Sequence, residues 1–303
     1  MFLFVLALSL LVAAKCNQLS VRKECRNLSQ PERRDWITAV KIHGTGLFLP
    51  WHRWYIHSPK TALQAECGFN GTAPYWDWTQ DAPDFLHATI FNEGYELGGW
   101  GDPSKDFKVT DGAFSADSLF RPSYPYPHTL RRRFNLFPYS TSVVLGVPID
   151  PHLPINNTFT ASETYFEAIQ GAHASVHLIV NGDLLGACPG NAPPDCKGGP
   201  TFSAKDPLFW LHHGMIDKVW HDWQHYSKAS TRAFEGGSVQ RLDNITKWPT
   251  GSAPWMNLQS VMPGDGLFQE ATVLDVIDTE DGILCYTIRV VEAGTGRLRH
   301  VRS

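Results

Sequence analysis

The chain has 303 residues, with 26 Lys and Arg against 30 Asp and Glu and a formal charge of −4. That balance excludes the clustered basic surface on which nucleic-acid binding depends; the one basic run, Arg131-Arg132-Arg133, reads as a solvated or ion-paired patch. With 11 Trp and 13 His, the composition suits an aromatic interior and directs attention to metal-ligand spacing.

Residues 1–14, MFLFVLALSLLVAA, form an apolar run with a small-residue end, the pattern of a secretory signal peptide. The run is too short to span a bilayer, which takes about 20 apolar residues, and no later run approaches that length. The expectation is one domain over 15–303, secreted, with no membrane and no nucleic acid among its partners; neither a repeat nor a low-complexity linker divides it. Sequons at Asn27, Asn70, Asn156 and Asn244 fit a glycoprotein. Six Cys in an oxidising compartment allow a few disulfides over a real core. Cys188 with Cys196 is the local pair, while Cys16, Cys25, Cys67 and Cys285 can pair several ways or stay as thiols.

In chain order, Ser29-Gln30-Pro31-Glu32 has the capping pattern that opens a helix from about 31 to 40. Pro50 opens a second, running to about Glu66, with Pro59 as an interior proline that costs up to ~3 kcal/mol or marks a kink. From Gly68 to about Asn157 no helical or strand period is sustained, which predicts long loops over a helical core. Thr160-Ala161-Ser162-Glu163 caps a third helix, whose residues Phe166, Ile169, His173, Val176, His177 and Val180 recur at helical spacing until Asn181-Gly182. Cys188 to Pro200 is rich in Gly and Pro and reads as a loop, after which Asp206-Pro207 caps a fourth helix carrying Leu211, Ile216, Val219, Trp220 and Trp223. Near the end, Val273–Val276 and Ile283–Ile288 flank Glu280-Asp281-Gly282 and predict a hairpin.

His173 and His177 stand at i and i+4, so both imidazoles leave one helix face and can reach one ion. Such a pair alone is more often core or surface. His212-His213 sits in the apolar setting Leu208-Phe209-Trp210-Leu211, where each unsatisfied buried polar group costs about 1–3 kcal/mol, so a ligand or hydrogen bond is expected for at least one ring. Three imidazoles from two helices make a nitrogen-only site that suits copper or zinc better than magnesium or calcium. His43 and His52 are placed to reach a second ion from a loop and a helix start.

The string HGTGLFLPWHRWYIH at His43–His57 resembles the copper A motif of tyrosinases, catechol oxidases and molluscan haemocyanins. HASVH at His173–His177 and DPLFWLHHGMIDKVW at Asp206–Trp220 resemble its copper B motif, and PYWDW at Pro74–Trp78 and TDGAF at Thr110–Phe114 resemble the secreted fungal branch. The resemblance implies a mainly α fold, an antiparallel four-helix-bundle core with inward histidines, long loops and a small C-terminal β element. It implies His173, His177 and His213 as copper B ligands, His43 and His52 as copper A ligands, and His212 as a structural neighbour. Asp217, one turn after His213, takes an outer role in holding a ligand ring or pairs with Lys218 or a nearby Arg. The implied activity is oxidation of o-diphenols to o-quinones by two copper ions with dioxygen.

The pattern breaks at copper A. The family places a further histidine upstream of His43, yet residues 1–42 contain none. The resemblance implies a deletion where Ala39-Val40-Lys41 runs straight into Ile42-His43, in nature or through a wrongly joined gene model, leaving copper B complete and copper A incomplete. His57, five positions after His52, points about 140° around a helix from it and is a poor substitute. Cys25 replaces the usual aromatic of its string, and Lys41 stands where some relatives carry a thioether-forming Cys. Ala174 occupies the position where monophenol-hydroxylating relatives often carry Asn, and its methyl neither donates nor accepts a hydrogen bond, which favours diphenol over monophenol chemistry. Two rivals follow: a catalytically impaired secreted protein with one complete copper site, and a haemocyanin-like oxygen binder.

Overall fold

The computed structural model describes residues 20–22, 48–92, 95–118, 120–123, 126–135, 159, 172–239, 244, 247–248, 250–262, 269–288, 290–291 and 298–299. The helix expected over 31–40 and the cap at Thr160–Glu163 lie outside them.

Helix α1 runs Leu49–Cys67 and opens on Pro50, whose fixed φ suits a first turn where no N–H is needed. Pro59 supplies no N–H to the helix, yet the helix continues to Gly68, a left-handed cap at φ 66° that only glycine adopts without strain. Helix α2 spans Ala172–Val180 and α3 spans Pro207–Tyr226. His52 of α1 lies against His213 of α3, and Tyr55, one turn on, stacks over Trp210, one turn back, so α1 and α3 run antiparallel. His173 and His177 face His213 and Phe209 in the same opposed sense, which sets α2 antiparallel to α3 as well.

The start of α3 is fixed by charge. Asp206 accepts the Leu208 N–H at 2.9 Å as cap, and its two carboxylate oxygens also take Arg132 Nε and Nη2 at 2.8 and 2.7 Å. Arg132 is fully buried and donates further to the Leu97 and Gly98 carbonyls. Arg131 pairs with Asp106 at 3.0 Å and Arg133 covers the Phe107 ring, so the basic run is ion-paired and packed, as its sequence allowed.

The described residues within 68–135 wrap this core as loops with single turns of 3₁₀ helix at Phe85–His87, Thr89–Phe91 and Pro103–Lys105. Trp76 and Trp78 of the PYWDW string are fully buried, and the Trp76 N–H donates to the Leu211 carbonyl of α3 at 2.9 Å. The Cys188–Cys196 disulfide is formed, Cys285 is disulfide-bonded, and Cys67 is an exposed free thiol.

The expected C-terminal β element is present among the described residues as short pairs: β2 (Gly237–Val239) with β3 (Ser252–Trp255), β4 (Val261–Met262) with β5 (Ala271–Thr272), and β7 (Val290–Val291) with β8 (Leu298–Arg299). The expected hairpin is corrected. Val273–Val276 is a helical turn, α4, because Thr272 and Asp275 form a reciprocal capping box that satisfies its first N–H groups. Tyr286–Ile288, β6, pairs instead in parallel with β1, Ser20–Arg22. No helix among the described residues is long and apolar enough to cross a membrane.

Candidate metal centre

Four histidines from α2 and α3 converge. The ligating nitrogens of His173, His177, His212 and His213 all lie within 4.8 Å of one another. Helical periodicity explains α2, where i and i+4 rings leave one face, and ring centroids of His173 and His177 are 4.7 Å apart. On α3 the two rings are sequence neighbours and splay by 63°, His212 against His173 and His177, and His213 toward α1.

From α1, His52 stacks on His213 at 4.0 Å with planes 14° apart. Its Nδ1 donates to the Phe48 carbonyl at 2.9 Å, one turn back, leaving Nε2 with its lone pair. His177 is held likewise: Nδ1 donates to the Leu184 carbonyl at 2.6 Å. Backbone carbonyls thus fix the tautomers of two rings, the arrangement by which proteins orient metal-ligating imidazoles.

His212 and His213 are 0% and 1% exposed; neither nitrogen of His213 has a hydrogen-bond partner, and His212 has at most a weak contact with the His173 backbone. Burial holds the His212 and His213 rings well below the ordinary histidine range, and neighbouring imidazoles push them further down. The same applies to His173, while His177 is lowered by burial against the opposing pull of Leu184 and Asp206. Burial takes His52 down to about 3. The rings are therefore neutral near pH 7, and one nitrogen from each of His173, His177, His212 and His213 faces a shared space.

That donor set fits a transition metal. Nitrogens that share one ion at about 2.0–2.1 Å lie ~3.3–3.6 Å apart in a three- or four-ligand site, so rings within 4.8 Å of one another close on it by a shift of about an ångström. Neutral imidazoles with no carboxylate suit copper or zinc and disfavour magnesium and calcium. Phe48 and Phe209 complete the walls: Phe48 meets His173 edge-on at 4.9 Å, and Phe209 lies 4.2 Å from the His213 ring.

Of the residues picked out by motif, the structure brings together His52, His173, His177 and His213; His43 lies outside the described residues. His57 is buried and stacked on Trp54, away from the cluster. His212, read as a neighbour, stands inside it. Asp217 is an ion-pair partner, buried on Arg53 at 2.5 Å, while Lys218 pairs with Asp222. The Phe48 and Leu184 carbonyls were not legible beforehand, since a backbone acceptor leaves no residue signature.

The model of the common central domain of tyrosinase matches residues 16–226. The chain belongs to the tyrosinase family. Tyrosinases are copper-dependent oxidoreductases acting on phenols with dioxygen, and at that level of description the activity is this chain's. Among similar proteins, the tyrosinase-like protein phomQ2 of Diaporthe leptostromiformis is 27% identical over 90% of this chain and 74% of its own length. The N-acetyl-6-hydroxytryptophan oxidase ivoB of Emericella nidulans is 29% identical over 81% of this chain and 76% of its own. A polyphenol oxidase from Thermothelomyces thermophila, solved as a mutant, shares the tyrosinase fold with a TM-score of 0.65 at 23% identity, over 89% of this chain and 88% of that one.

Proposed function

We propose that the chain binds copper through His173, His177 and His213, with His52 and His43 toward a second ion, and oxidises o-diphenols to o-quinones. One observation carries the reading: three neutral imidazoles, part-buried His173 and His177 and buried His213, converge from two antiparallel helices, and a fourth on α1 stacks against them. Copper, when bound, supplies the electron transfer to dioxygen; the protein contributes geometry and access. Two o-diphenols give up four electrons and four protons to one dioxygen, yielding two o-quinones and two waters.

The residues on the page do the rest. Leu184 and Phe48 carbonyls keep His177 and His52 aimed. Phe48 and Phe209 line the α1 side and offer aromatic edges to a phenol ring. Ala174, beside His173, offers no hydrogen-bonding group to hold a deprotonating water, which supports diphenol over monophenol substrates. Export through the secretory route, with glycans on Asn70 and Asn244, both exposed, belongs to the same reading.

A second reading is favoured by residues 1–42, which contain no histidine: a chain with one complete copper site and impaired activity. Copper per chain and oxygen uptake with catechol separate the two. Near two coppers with sustained uptake supports the oxidase; one copper without uptake supports the impaired protein. Reversible oxygen binding without turnover of catechol would instead point to an oxygen carrier.

A further inference from the structure

His177 presents Nε2 to an ion only while its other nitrogen is held, and the holder is the Leu184 carbonyl. Leu184 sits in the turn that ends α2. Whatever fixes that turn fixes the ligand. The turn has two consecutive left-handed residues, Asn181 at φ 54° and Gly182 at φ 58°, joined locally by the Gly182 N–H on Asn181 Oδ1 at 2.6 Å.

Support comes from residues 128–131. Asp183 is fully buried and spends both carboxylate oxygens on that segment: Oδ1 lies 2.8 Å from His128 Nε2, and Oδ2 accepts the Arg131 N–H at 2.7 Å. The Asp183 N–H in turn donates to the Arg131 carbonyl at 2.9 Å. A side chain at Gly182 would overlap that same carbonyl, so the two segments touch backbone to backbone. His128 is buried too, and its Nδ1 is anchored 2.6 Å from the Tyr126 carbonyl oxygen. Asp183 is fully buried, so losing His128 takes a partner from one of its carboxylate oxygens and loosens the turn.

We infer that His128 and Asp183 are a positioning pair for His177, holding the 181–184 turn so that the Leu184 carbonyl keeps His177 in its Nδ1–H tautomer with Nε2 toward the ion. The inference rests on the reading of His177 as a copper ligand. Neither residue touches the ion or the substrate; both act through the turn.

The test titrates copper(II) into the metal-free full-length chain and into His128→Gln, His128→Leu, Asp183→Asn and His177→Ala. Cooperative unfolding of each metal-free chain is recorded beside it. Gln keeps an N–H toward Asp183 and is expected to bind as the parent does. His128→Leu and Asp183→Asn are expected to bind about 10- to 100-fold more weakly while still folding cooperatively. Parent-like affinity in either overturns the proposal, as does equal weakening in His128→Gln. Nitrogen NMR of the parent metal-free chain reads the His177 tautomer directly: Nδ1–H is expected, and Nε2–H overturns the proposal even if no variant folds. If His177→Ala binds like the parent, the ligand reading itself has failed. Loss in His177→Ala with parent-like Asp183→Asn is failure of the positioning alone.

Discussion

Arg53 of α1 donates its Nε–H to Asp217 of α3 across 2.5 Å, with neither side chain reaching water. The same guanidinium donates to Gln224 and to the Val276 and Ile277 carbonyls and lies 3.6 Å over the Trp220 ring. Asp217 also accepts the Tyr286 hydroxyl of β6. Arg53 follows His52, and Asp217 lies one turn after His213. The pair therefore locks the two helices whose rings stack in the metal centre and ties both to the C-terminal segment.

Removing one partner leaves the other charge buried and alone, which costs about 3–5 kcal/mol. Asp217→Ala and Arg53→Met are each expected to lose that much in urea unfolding. The double variant should lose clearly less than the sum, since it strands no charge. Strict additivity would show that the pair does not act as a unit.

The pH dependence of the metal-free chain follows from the depressed imidazoles. Between the ordinary value of 6.5 and the folded value, about 3 for His52, the unfolded chain binds protons that the folded chain refuses. Stability is therefore whole above about 6.5 and is lost as pH falls toward 3. Unfolding midpoints taken downward from neutral pH should fall through this window, and His52→Gln, which cannot titrate, should flatten part of the slope. Copper should leave over the same range, because protons compete for the nitrogens that hold it. A flat stability profile through the window contradicts the burial argument.

His213 and His212 offer a sharper test of the ligand set. Both are buried, yet His213 lies against His52 and between the two helices, whereas His212 packs on α2. His213→Ala is expected to drop bound copper by one equivalent, as is His173→Ala. His212→Ala should keep the stoichiometry and bind more weakly, having lost packing against His173 and His177. Copper counting by elemental analysis after gel filtration decides; the reverse order between the two variants exchanges their roles.

Much of this was legible in the sequence because it is periodic or local. Proline openings, the Asp206 cap and the Asn181-Gly182 stop are short-range chemistry, and α1, α2 and α3 appear where those signals put them. The i, i+4 histidines follow from helix geometry. What failed was the pairing of Tyr286–Ile288, because strand partners are set by tertiary contact and a Glu-Asp-Gly turn cannot exclude a parallel partner more than 260 residues away. The capping box that makes Val273–Val276 helical was present in Thr272 and Asp275, but an apolar run of four residues before a Glu-Asp-Gly turn suits a strand as well as a helical turn. His128 and Asp183 carried no motif, since their importance lies in two loops meeting.

Gly214 gives the last prediction. It sits inside α3, one residue after His213, where helix propensity favours alanine by about 1 kcal/mol. Space opposes that gain: a Cβ here would lie 2.6 Å from the Pro74 carbonyl oxygen and 3.1 Å from Tyr75. These are backbone-anchored atoms, held by the Trp76 N–H on the Leu211 carbonyl, so they cannot swing aside as a flexible side chain would. Overpacking of this kind costs about 1–3 kcal/mol or more and should outweigh the propensity term. Gly214→Ala is thus expected to lower the unfolding midpoint. It should also loosen Trp76 and Trp78, both fully buried under α3, which near-UV circular dichroism of the tryptophans would report. A variant as stable as the parent, with unchanged tryptophan ellipticity, would show that the PYWDW segment can shift away from α3 at little cost, and that its close approach is not what sets the position of His213.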